Sequence, residues 1–531
     1  MRKYLVAVAL MASSASVGAF VPSSEAIKSH MQFLASDLLE GREAGTRGYD
    51  IAASYVANRM LELGLTPAGD GNGYLQAVPM LAHRSANEGK ISLTGPDGTE
   101  TMLAFGTDYL PGTNAGSAET RISAPMVFVG YGIVEPRRGR DDYAGLDVRG
   151  KIVVILSGAP KGMQGEERAH LGNARNKRVA AAERGAAGII SLQTMIAENT
   201  RPFGRGVDTW QSWRMNWRDP QANAFQPGGA MPSFAALSLG AAAKLFAGAP
   251  MTFEAVLAAS ETPDGLMKGF NLPSKVNISI STETKRVESS NVAGLIVGSD
   301  PKLRNEVIVL TGHLDHVGIG KAKNGDVIYN GAMDNAAGIA TLLEAARGLK
   351  ARPPKRSVMI LALTAEEKGL VGADYFARHS TVEKSRLVAN VNLDMPILSY
   401  DFRDIVAFGA NRSSIGPAVA KAAKRLKLIL TPDATPDEGL FTRSDHYRFV
   451  EQGIPSVFLK TGDLNGGAAA TAAFRKDRYH QADDDMQQVI DWSAAAKFAA
   501  INYEIARELG NMPARPAWNP GDFFGTLFGT N

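Results

Sequence analysis

The alternation of strand and helix patterns between residues 285 and 512 constrains the fold of this chain more than any other feature. Helical patterns such as "AAGIATLLEAARGLK" separate the strand-like runs, which are "SNVAGLIVG", "EVIVLTGHLD", "SVMILALTAEE", "RLVANVNLDM" and "GIPSVFLKTG". This order predicts an α/β fold with a mostly parallel sheet and helices on both faces. The carboxyl ends of parallel strands meet at one edge of the sheet, where we expect the chemistry.

Two segments outside this region have a different texture. Residues 27–65 predict two amphipathic helices around a polar, Gly-rich turn. Residues 86–284 combine β-rich runs such as "APMVFVGYGI" and "GKIVVILSG" with turn clusters, which indicates a compact mixed-β unit. We therefore divide the chain into residues 20–85, 86–284, 285–512 and 513–531. The last segment is rich in Pro, Gly and aromatic residues.

The first nineteen residues have the pattern of a signal peptide. Arg2 and Lys3 precede a short apolar run, and Val17 and Ala19 occupy the positions that a signal peptidase reads. No later segment approaches the roughly 20 apolar residues of a membrane helix. We expect residues 1–19 to be removed and the protein to be exported, periplasmic or secreted, without stable membrane insertion. An uncleaved membrane anchor is the alternative.

Charge and cysteine content exclude several classes of protein. The 531 residues include no Cys, so a thiol nucleophile and disulfide bonds are both absent from the sequence. The formal net charge is +3, and it falls to +1 when Arg2 and Lys3 are removed. This near balance argues against a nucleic-acid partner. Neither a G-x-S-x-G nucleophile motif nor a Walker loop is present.

Side chains that can bind metals follow three of the predicted strands and also occur in two other phrases of the sequence. They are His313, Asp315 and His316 after "VIVLTG", Glu366 and Glu367 after "ILALTA", Asp394 after "VANVNL", Asp334 in "NGAMDNAAG", and Tyr479, His480 and Asp484 in "YHQADDD". Each phrase alone has an ordinary reading as a turn, a helix cap or a solvated pair. Clustered carboxylates, however, repel one another unless a cation lies between them. Histidines and carboxylates without thiols suit Zn²⁺, and a carboxylate shared by two ions would give a hydrolytic two-metal site.

In order and approximate spacing, "TGHLDHVG", "NGAMDNAAG", "LTAEEKGLVGA", "NLDM" and "YHQADD" resemble the motifs of the co-catalytic di-zinc aminopeptidases. That family also includes glutamate carboxypeptidase-like enzymes, transferrin-receptor-like proteins and glutaminyl cyclases. Residues 86–284 resemble a protease-associated domain, through phrases such as "YAGLDVRGKIVVILSG" and "KRVAAAERGAAGIISL".

The resemblance implies two Zn²⁺ per chain and a role for each ligand. His313 and Asp394 would hold one ion, Glu367 and His480 the other, and Asp334 would bridge them. Glu366 would be the general base, and Tyr479 would donate to the oxyanion. Asp315 and Asp484 would orient His313 and His480 from behind. The peptide bond Asp334–Asn335 is a candidate for a cis bond, and Ser444-Asp445-His446 resembles a further family phrase without an assigned role.

The predicted function is that of an exported zinc aminopeptidase that releases N-terminal residues from peptides. A glutamate carboxypeptidase-like enzyme is the first alternative. A glutaminyl cyclase would keep one zinc, whereas this chain offers the full ligand set. A non-catalytic binding protein of the transferrin-receptor type is the alternative from another class.

Overall fold

The structure, a computed structural model, describes residues 20–529, so the predicted signal peptide lies outside the described residues. We call residues 86–284 the insert, and residues 20–85 together with 285–529 the main unit. Among the described residues, no helix has the length and apolar character needed to cross a membrane.

The chain first forms two helices and then the strands and short helices of the insert. These elements are α1 (Ser24–Leu34), α2 (Arg47–Glu62), β1 (Thr66–Pro67), β2 (Leu75–Ser85), β3 (Lys90–Thr94), β4 (Glu100–Met102), β5 (Tyr109–Thr113), β6 (Glu119–Phe128), β7 (Val134–Glu135), β8 (Arg140–Asp141), β9 (Ile152–Leu156), α3 (Gly165–Gly172), α4 (Ala174–Glu183), β10 (Gly188–Leu192), α5 (Met195–Thr200), α6 (Phe203–Thr209), β11 (Arg214–Trp217), β12 (Ser233–Leu237), α7 (Leu239–Leu245), α8 (Phe253–Ser260) and β13 (Phe270–Ile296).

After β13 the strands and helices alternate as the sequence predicts. These elements are β14 (Val307–His313), β15 (Gly318–Lys323), β16 (Asp326–Tyr329), α9 (Ala337–Ala351), β17 (Ser357–Leu363), α10 (Val371–Arg378), β18 (Leu387–Leu393), β19 (Asp404–Phe408), α11 (Ile415–Arg425), β20 (Ile429–Thr431), α12 (His446–Val450), β21 (Ser456–Thr461), α13 (Gly467–Asp477), α14 (Trp492–Asn511) and α15 (Phe523–Phe528).

Four parallel strands form the centre of the main unit, in the order β17, β14, β18, β21. Antiparallel strands flank them, with β13 beside β17 and β19 beside β21. Helices α1, α2, α9, α11 and α14 contribute apolar side chains to the core on one face, while α10 and α12 contribute to the core on the other. The predicted α/β class, a mostly parallel sheet with helices on both faces, is confirmed. Each central strand is buried along its whole length, as a two-faced parallel sheet requires.

The N-terminal helices join this core because their ends and faces are locally encoded. The side chain of Ser23 accepts the Ala26 N–H at the start of α1, and that of Thr46 accepts the Tyr49 N–H at the start of α2. The apolar faces of α1 and α2, which include Met31 and Val56, are fully buried in the main core.

The insert has its own apolar core, drawn from residues between Ile91 and Ile280. In it, β6, β9, β10 and β12 pair in parallel with one another, in that order, and the antiparallel strands β13 and β5 flank them. The 27-residue strand β13 belongs to both units: residues up to Ser281 pair with β3 and β6, and residues from Thr282 pair with β2 and then β17. The assignment of residues 86–284 as a protease-associated domain stays a prediction.

Candidate metal centre

The candidate centre lies at the carboxyl edge of the parallel strands. His313 is the last residue of β14 and is in register with Leu363, the last residue of β17. Glu366 and Glu367 follow β17 after a short turn, and Asp394 directly follows β18. Because β14 lies between β17 and β18, these side chains approach one another from neighbouring strands.

Asp334 occupies the middle of the cluster. Its Oδ1 lies 3.2 Å from Nε2 of His313, and its Oδ2 lies 3.3 Å from Nε2 of His480. The side chain is 5% exposed, so the two oxygens divide one buried carboxylate between two imidazoles. The Asp334–Asn335 peptide bond is cis, as the resemblance predicts.

The remaining predicted ligands complete two groups around Asp334. On one side, Nε2 of His313 lies 3.3 Å from Oδ1 of Asp394. On the other side, Nε2 of His480 lies 3.0 Å from Oε2 of Glu367. The structure thus brings together all five side chains predicted as ligands, in the two groups expected from the sequence.

Glu366 lies next to these groups without belonging to either. One of its carboxylate oxygens is within 4.8 Å of ligand atoms of His313 and Glu367. Burial raises the pKa of Glu366 well above its usual value, and the neighbouring Glu367 and Asp394 act in the same direction against His313. A carboxyl group with a raised pKa is suited to accept and return a proton.

The charges of the cluster are strongly coupled. Although burial alone would raise the pKa of Asp334, hydrogen bonds from His313 and His480 lower it well below its usual range. Burial alone would lower the pKa of His480, but Glu367 raises it well above its usual value, with support from Asp334. Each histidine therefore acts as the counter-ion of a buried carboxylate, a role that a metal cation takes over when it binds.

The donor set fits zinc. Two imidazoles and three carboxylates offer nitrogen and oxygen ligands, and no thiol is present. Nε2 of His480 is buried and faces two carboxylates, Glu367 at 3.0 Å and Asp334 at 3.3 Å. Imidazole nitrogens and carboxylate oxygens that converge in this way are the ligand set of a zinc ion.

The two residues predicted to support the histidines have other partners. The carboxylate of Asp315 accepts the main-chain N–H groups of Glu366 and Glu367 at 3.0 and 3.3 Å. Nδ1 of His313 instead lies 3.1 Å from the main-chain carbonyl oxygen of Asp315. The prediction for the Asp315 carboxylate is therefore corrected, because that side chain turns toward the neighbouring strand end and fixes the Glu366–Glu367 turn.

The predicted role of the Asp484 carboxylate is corrected in the same way. Its carboxylate accepts the N–H groups of Met333 and Asp334 at 2.9 and 3.1 Å and the side chain of Gln488 at 2.6 Å. It has no contact with His480 among its hydrogen bonds. Asp484 therefore supports the bridging Asp334 through its backbone, because the segment after His480 folds back over the turn before α9.

Tyr479 lies against the centre through its ring. Its ring centroid is 3.9 Å from that of His480, in a stacked arrangement. Burial raises the pKa of Tyr479 to about 12, so the hydroxyl stays protonated and able to donate near neutral pH.

Several residues of the centre carry no role in the sequence-based prediction. Nδ1 of His316 lies 2.9 Å from Oε1 of Glu367. Ser444 donates to Oδ2 of Asp394 and accepts from Asn392. Asn335 donates to the carbonyl of Leu393 at 3.0 Å. The phrases "LDHVG" and "SDH" mark two of these positions, but nothing local signals Asn335.

Arg42 is a further residue that sequence reasoning does not identify. Its guanidinium is fully buried and donates to the carbonyl oxygens of Leu314, Asn330 and Gly331. These bonds tie the turn between α1 and α2 to the segments that precede His316 and Asp334. Contacts spanning more than 270 residues leave no trace in local sequence patterns.

Asp445 and His446 lie behind the centre. Both are completely buried, and neither side chain has a hydrogen-bond partner among the described residues. Burial raises the pKa of Asp445 to about 8, and Asp394 contributes in the same direction while His313 opposes it. Burial lowers the pKa of His446 to about 3. The two residues therefore form a largely uncharged wall behind Asp394.

Part of the chain is similar in sequence to known peptidases. Residues 291–506 match the model of Peptidase family M28. The chain is 29% identical over 264 residues to a probable leucine aminopeptidase 2 of Aspergillus oryzae, which covers 45% of this chain and 49% of that protein. It is 24% identical over 428 residues to an aminopeptidase of Pseudomonas aeruginosa, which covers 79% of this chain and 67% of that protein.

A solved structure is similar over nearly the whole chain. The aminopeptidase from Aneurinibacillus sp. strain AM-1 aligns with a TM-score of 0.52 at 18% identity, over 94% of this chain and 97% of that one. At this identity the likeness concerns the fold. The chain spans about half the length of the fungal relative that it matches.

The fold and the site define an α/β protein with a candidate metal centre at the carboxyl edge of its parallel strands. The match over residues 291–506 places the similarity to peptidase family M28 in the part of the chain that carries the site. This similarity agrees with the resemblance read from the sequence.

Proposed function

We propose that this protein is a two-zinc aminopeptidase that releases N-terminal residues from peptides. The observation that carries the proposal is the position of Asp334, whose two carboxylate oxygens face His313 and His480 at 3.2 and 3.3 Å. A carboxylate shared in this way is what a two-ion hydrolytic centre requires. The family match and the aminopeptidases among the relatives support the same activity.

The five ligands would hold the ions in two sets. His313 and Asp394 would bind one zinc, Glu367 and His480 the other, and Asp334 both. When bound, zinc ions supply Lewis acidity, which polarises a peptide carbonyl and lowers the pKa of water. Asp315 and Asp484 keep this set in place through the backbones of Glu366, Glu367 and Asp334.

Glu366 moves the proton in this proposal. Its carboxylate accepts a proton from the attacking water and returns it to the leaving amine. The burial that raises its pKa makes the protonated form accessible during turnover. Tyr479, whose hydroxyl remains protonated, would donate to the oxygen of the tetrahedral intermediate.

The insert and the N-terminus extend the proposal. The separate core of residues 86–284 supports their assignment as a protease-associated domain. We further propose that residues 1–19 direct export to the periplasm or the medium, on the sequence pattern alone. Cell fractionation combined with N-terminal analysis tests this point, and a mature chain that still begins at Met1 would contradict it.

Substrate end-preference tests the activity. Purified protein would be incubated with leucine p-nitroanilide, which has a free amine, and with matched N-acetylated peptides, before and after removal of metals by a chelator. We expect cleavage of the free-amine substrate that is lost on chelation and restored by Zn²⁺. Cleavage of N-blocked peptides from their C-terminus would contradict the proposed aminopeptidase activity and favour a carboxypeptidase.

A further inference from the structure

A cavity of about 460 Å³ opens between the insert and residues 436–443 of the main unit. It lies where two parallel strands of the insert end, because Ser157 directly follows β9 and Gln193 directly follows β10, and both line it. The carboxyl ends of parallel strands are a recurrent place for ligands. The volume lies in the range of small-molecule sites.

The walls of this cavity carry more positive than negative charge. Its charged lining residues are Arg168, Lys177, Arg201, Arg443, Asp437 and Glu438. Both carboxylates already have partners: Asp437 pairs with Arg168, and Glu438 pairs with Arg475 and lies 3.6 Å from Arg443. The acidic residues therefore leave positive charge in the cavity uncompensated.

Two of the basic residues have no acidic partner. Lys177 is 2% exposed, and within the described part of the chain its Nζ donates only to the carbonyl oxygens of Leu156 and Gly158. Arg201 forms no ion pair with any residue from 20 to 529. A basic group without an acidic partner favours the binding of an anion.

The cavity is close to the candidate metal centre on the side of Tyr479. Although Arg201 as a whole is exposed, desolvation of its guanidinium lowers its pKa, as does the nearby Arg443, while Tyr479 acts in the opposite direction. Arg443 directly precedes Ser444, which donates to Asp394. Arg443 therefore connects the lining of the cavity to the segment that contacts the candidate ligand Asp394.

Lys460 does not line the cavity but adds a basic group beside Asp394, at the carboxyl edge of the central strands. It follows Leu459, which is in register with Leu393, so Lys460 and Asp394 occupy matching positions at the ends of β21 and β18. Lys460 is 8% exposed, and its Nζ lies 5.8 Å from the ring centroid of Phe458. It makes no ion pair or hydrogen bond through its side chain in the described part of the chain.

We infer that Arg201, Arg443 and Lys460 form a basic wall that binds a carboxylate of the peptide substrate. The inference rests on the proposed peptidase function and gives it a substrate class. The carboxylate is either the C-terminus of a short peptide or an acidic side chain next to the scissile bond. A guanidinium fork and an ammonium group recognise both in the same way.

Paired substrates test the inference on the zinc-loaded, full-length protein. One pair is Leu-Gly-Gly and its C-terminal amide, which differ only in the terminal carboxylate. The other pair is glutamate and glutamine p-nitroanilide, which differ only in the side-chain charge. Leucine p-nitroanilide, which has no carboxylate, reports the proposed function separately.

We expect the carboxylate member of one pair to have a kcat/KM about ten-fold higher than its neutral partner, equivalent to about 1.4 kcal/mol. In Arg201→Gln this ratio falls toward one. Arg205→Gln is the matched control, because Arg205 is an exposed arginine on the next helix that does not line the cavity. The pair that shows the preference identifies the source of the carboxylate.

Two results would overturn the inference: equal kcat/KM values within both pairs, or a preference that persists unchanged in Arg201→Gln and Lys460→Met. Either result alongside normal cleavage of leucine p-nitroanilide leaves the proposed function standing. Failure of the zinc-loaded protein to cleave any of the five substrates contradicts the proposed function itself.

Discussion

The imidazole of His316 meets the carboxylate of Glu367 at 2.9 Å, between Nδ1 and Oε1. His316 is completely buried. The other oxygen of Glu367, Oε2, lies 3.0 Å from His480. One oxygen of Glu367 is therefore fixed by His316, while the other faces the space between the candidate ligands.

This relationship predicts that His316 positions Glu367. In His316→Ala the Glu367 carboxylate gains rotational freedom, so we expect zinc affinity at this side of the centre to fall about 10–100-fold. Competition with a zinc chelator measures the loss. His30→Ala, a half-buried histidine outside the centre, is the control. Unchanged zinc affinity in His316→Ala would contradict the prediction that His316 positions Glu367.

Replacement of either adjacent glutamate by glutamine should lower activity, but only one of the two replacements should lower the zinc content. Glu366→Gln removes the proton acceptor but no ligand, so we expect zinc content to stay at the wild-type level while kcat falls by about 10²–10⁴. Glu367→Gln replaces a ligand, so zinc should be lost together with activity. Metal analysis and initial rates on both variants decide the assignment. Loss of zinc in Glu366→Gln would make Glu366 a ligand instead.

The contacts of Asp484 predict that its substitution lowers stability. A residue that contacted His480 alone would not have this effect. Asp484→Asn places an amide N–H₂ among the donors of Met333, Asp334 and Gln488, which leaves a buried donor without an acceptor. We expect the metal-free protein to lose about 1–3 kcal/mol of stability, measured by urea unfolding.

Asp485→Asn is the control for this experiment, because among residues 20–529 the side chain of Asp485 accepts only the local N–H of Gln487. Wild-type stability of metal-free Asp484→Asn would contradict the corrected role.

His170 predicts a pH dependence of stability. Its Nδ1 lies 2.6 Å from the hydroxyl of Tyr447, and burial lowers the pKa of His170 to about 4. The unfolded chain binds this proton near pH 6.5, whereas the folded protein resists it. The stability contribution is therefore full above pH 6.5 and is lost as the pH falls toward 4, by about 3 kcal/mol.

The His170→Gln variant isolates this contribution, because glutamine cannot take up the proton. Urea unfolding of both proteins between pH 7.5 and 4.5 should show a shallower loss of stability in the variant. Parallel pH profiles for the two proteins would contradict the prediction.

The sequence predicts the sheet and the metal ligands because both signals are local. Strand periodicity places His313, Glu367 and Asp394 at strand ends, and parallel pairing then brings them to one edge. The imidazole and carboxylate groups at these positions are typical zinc ligands, so the sequence also indicates the metal.

The supporting contacts are not predicted because they depend on distant segments. Asp315 and Asp484 are in the right places, but their carboxylates bond to backbone N–H groups that no local pattern reveals. Asn335 and Arg42 hold the centre together through carbonyl oxygens 58 and 272 residues away. The two units share strand β13 and are also joined by the pairing of β11 with β2, and both contacts depend on long-range pairing.

Zinc reconstitution tests the two-zinc account most directly. Protein freed of metal would be titrated with Zn²⁺ while bound zinc per chain and the rate on leucine p-nitroanilide are measured together. The account predicts binding of two zinc ions per chain, with full activity at the second equivalent, and loss of this behaviour in Asp334→Asn. Full activity in chelated protein whose metal content has been shown to be negligible would contradict it.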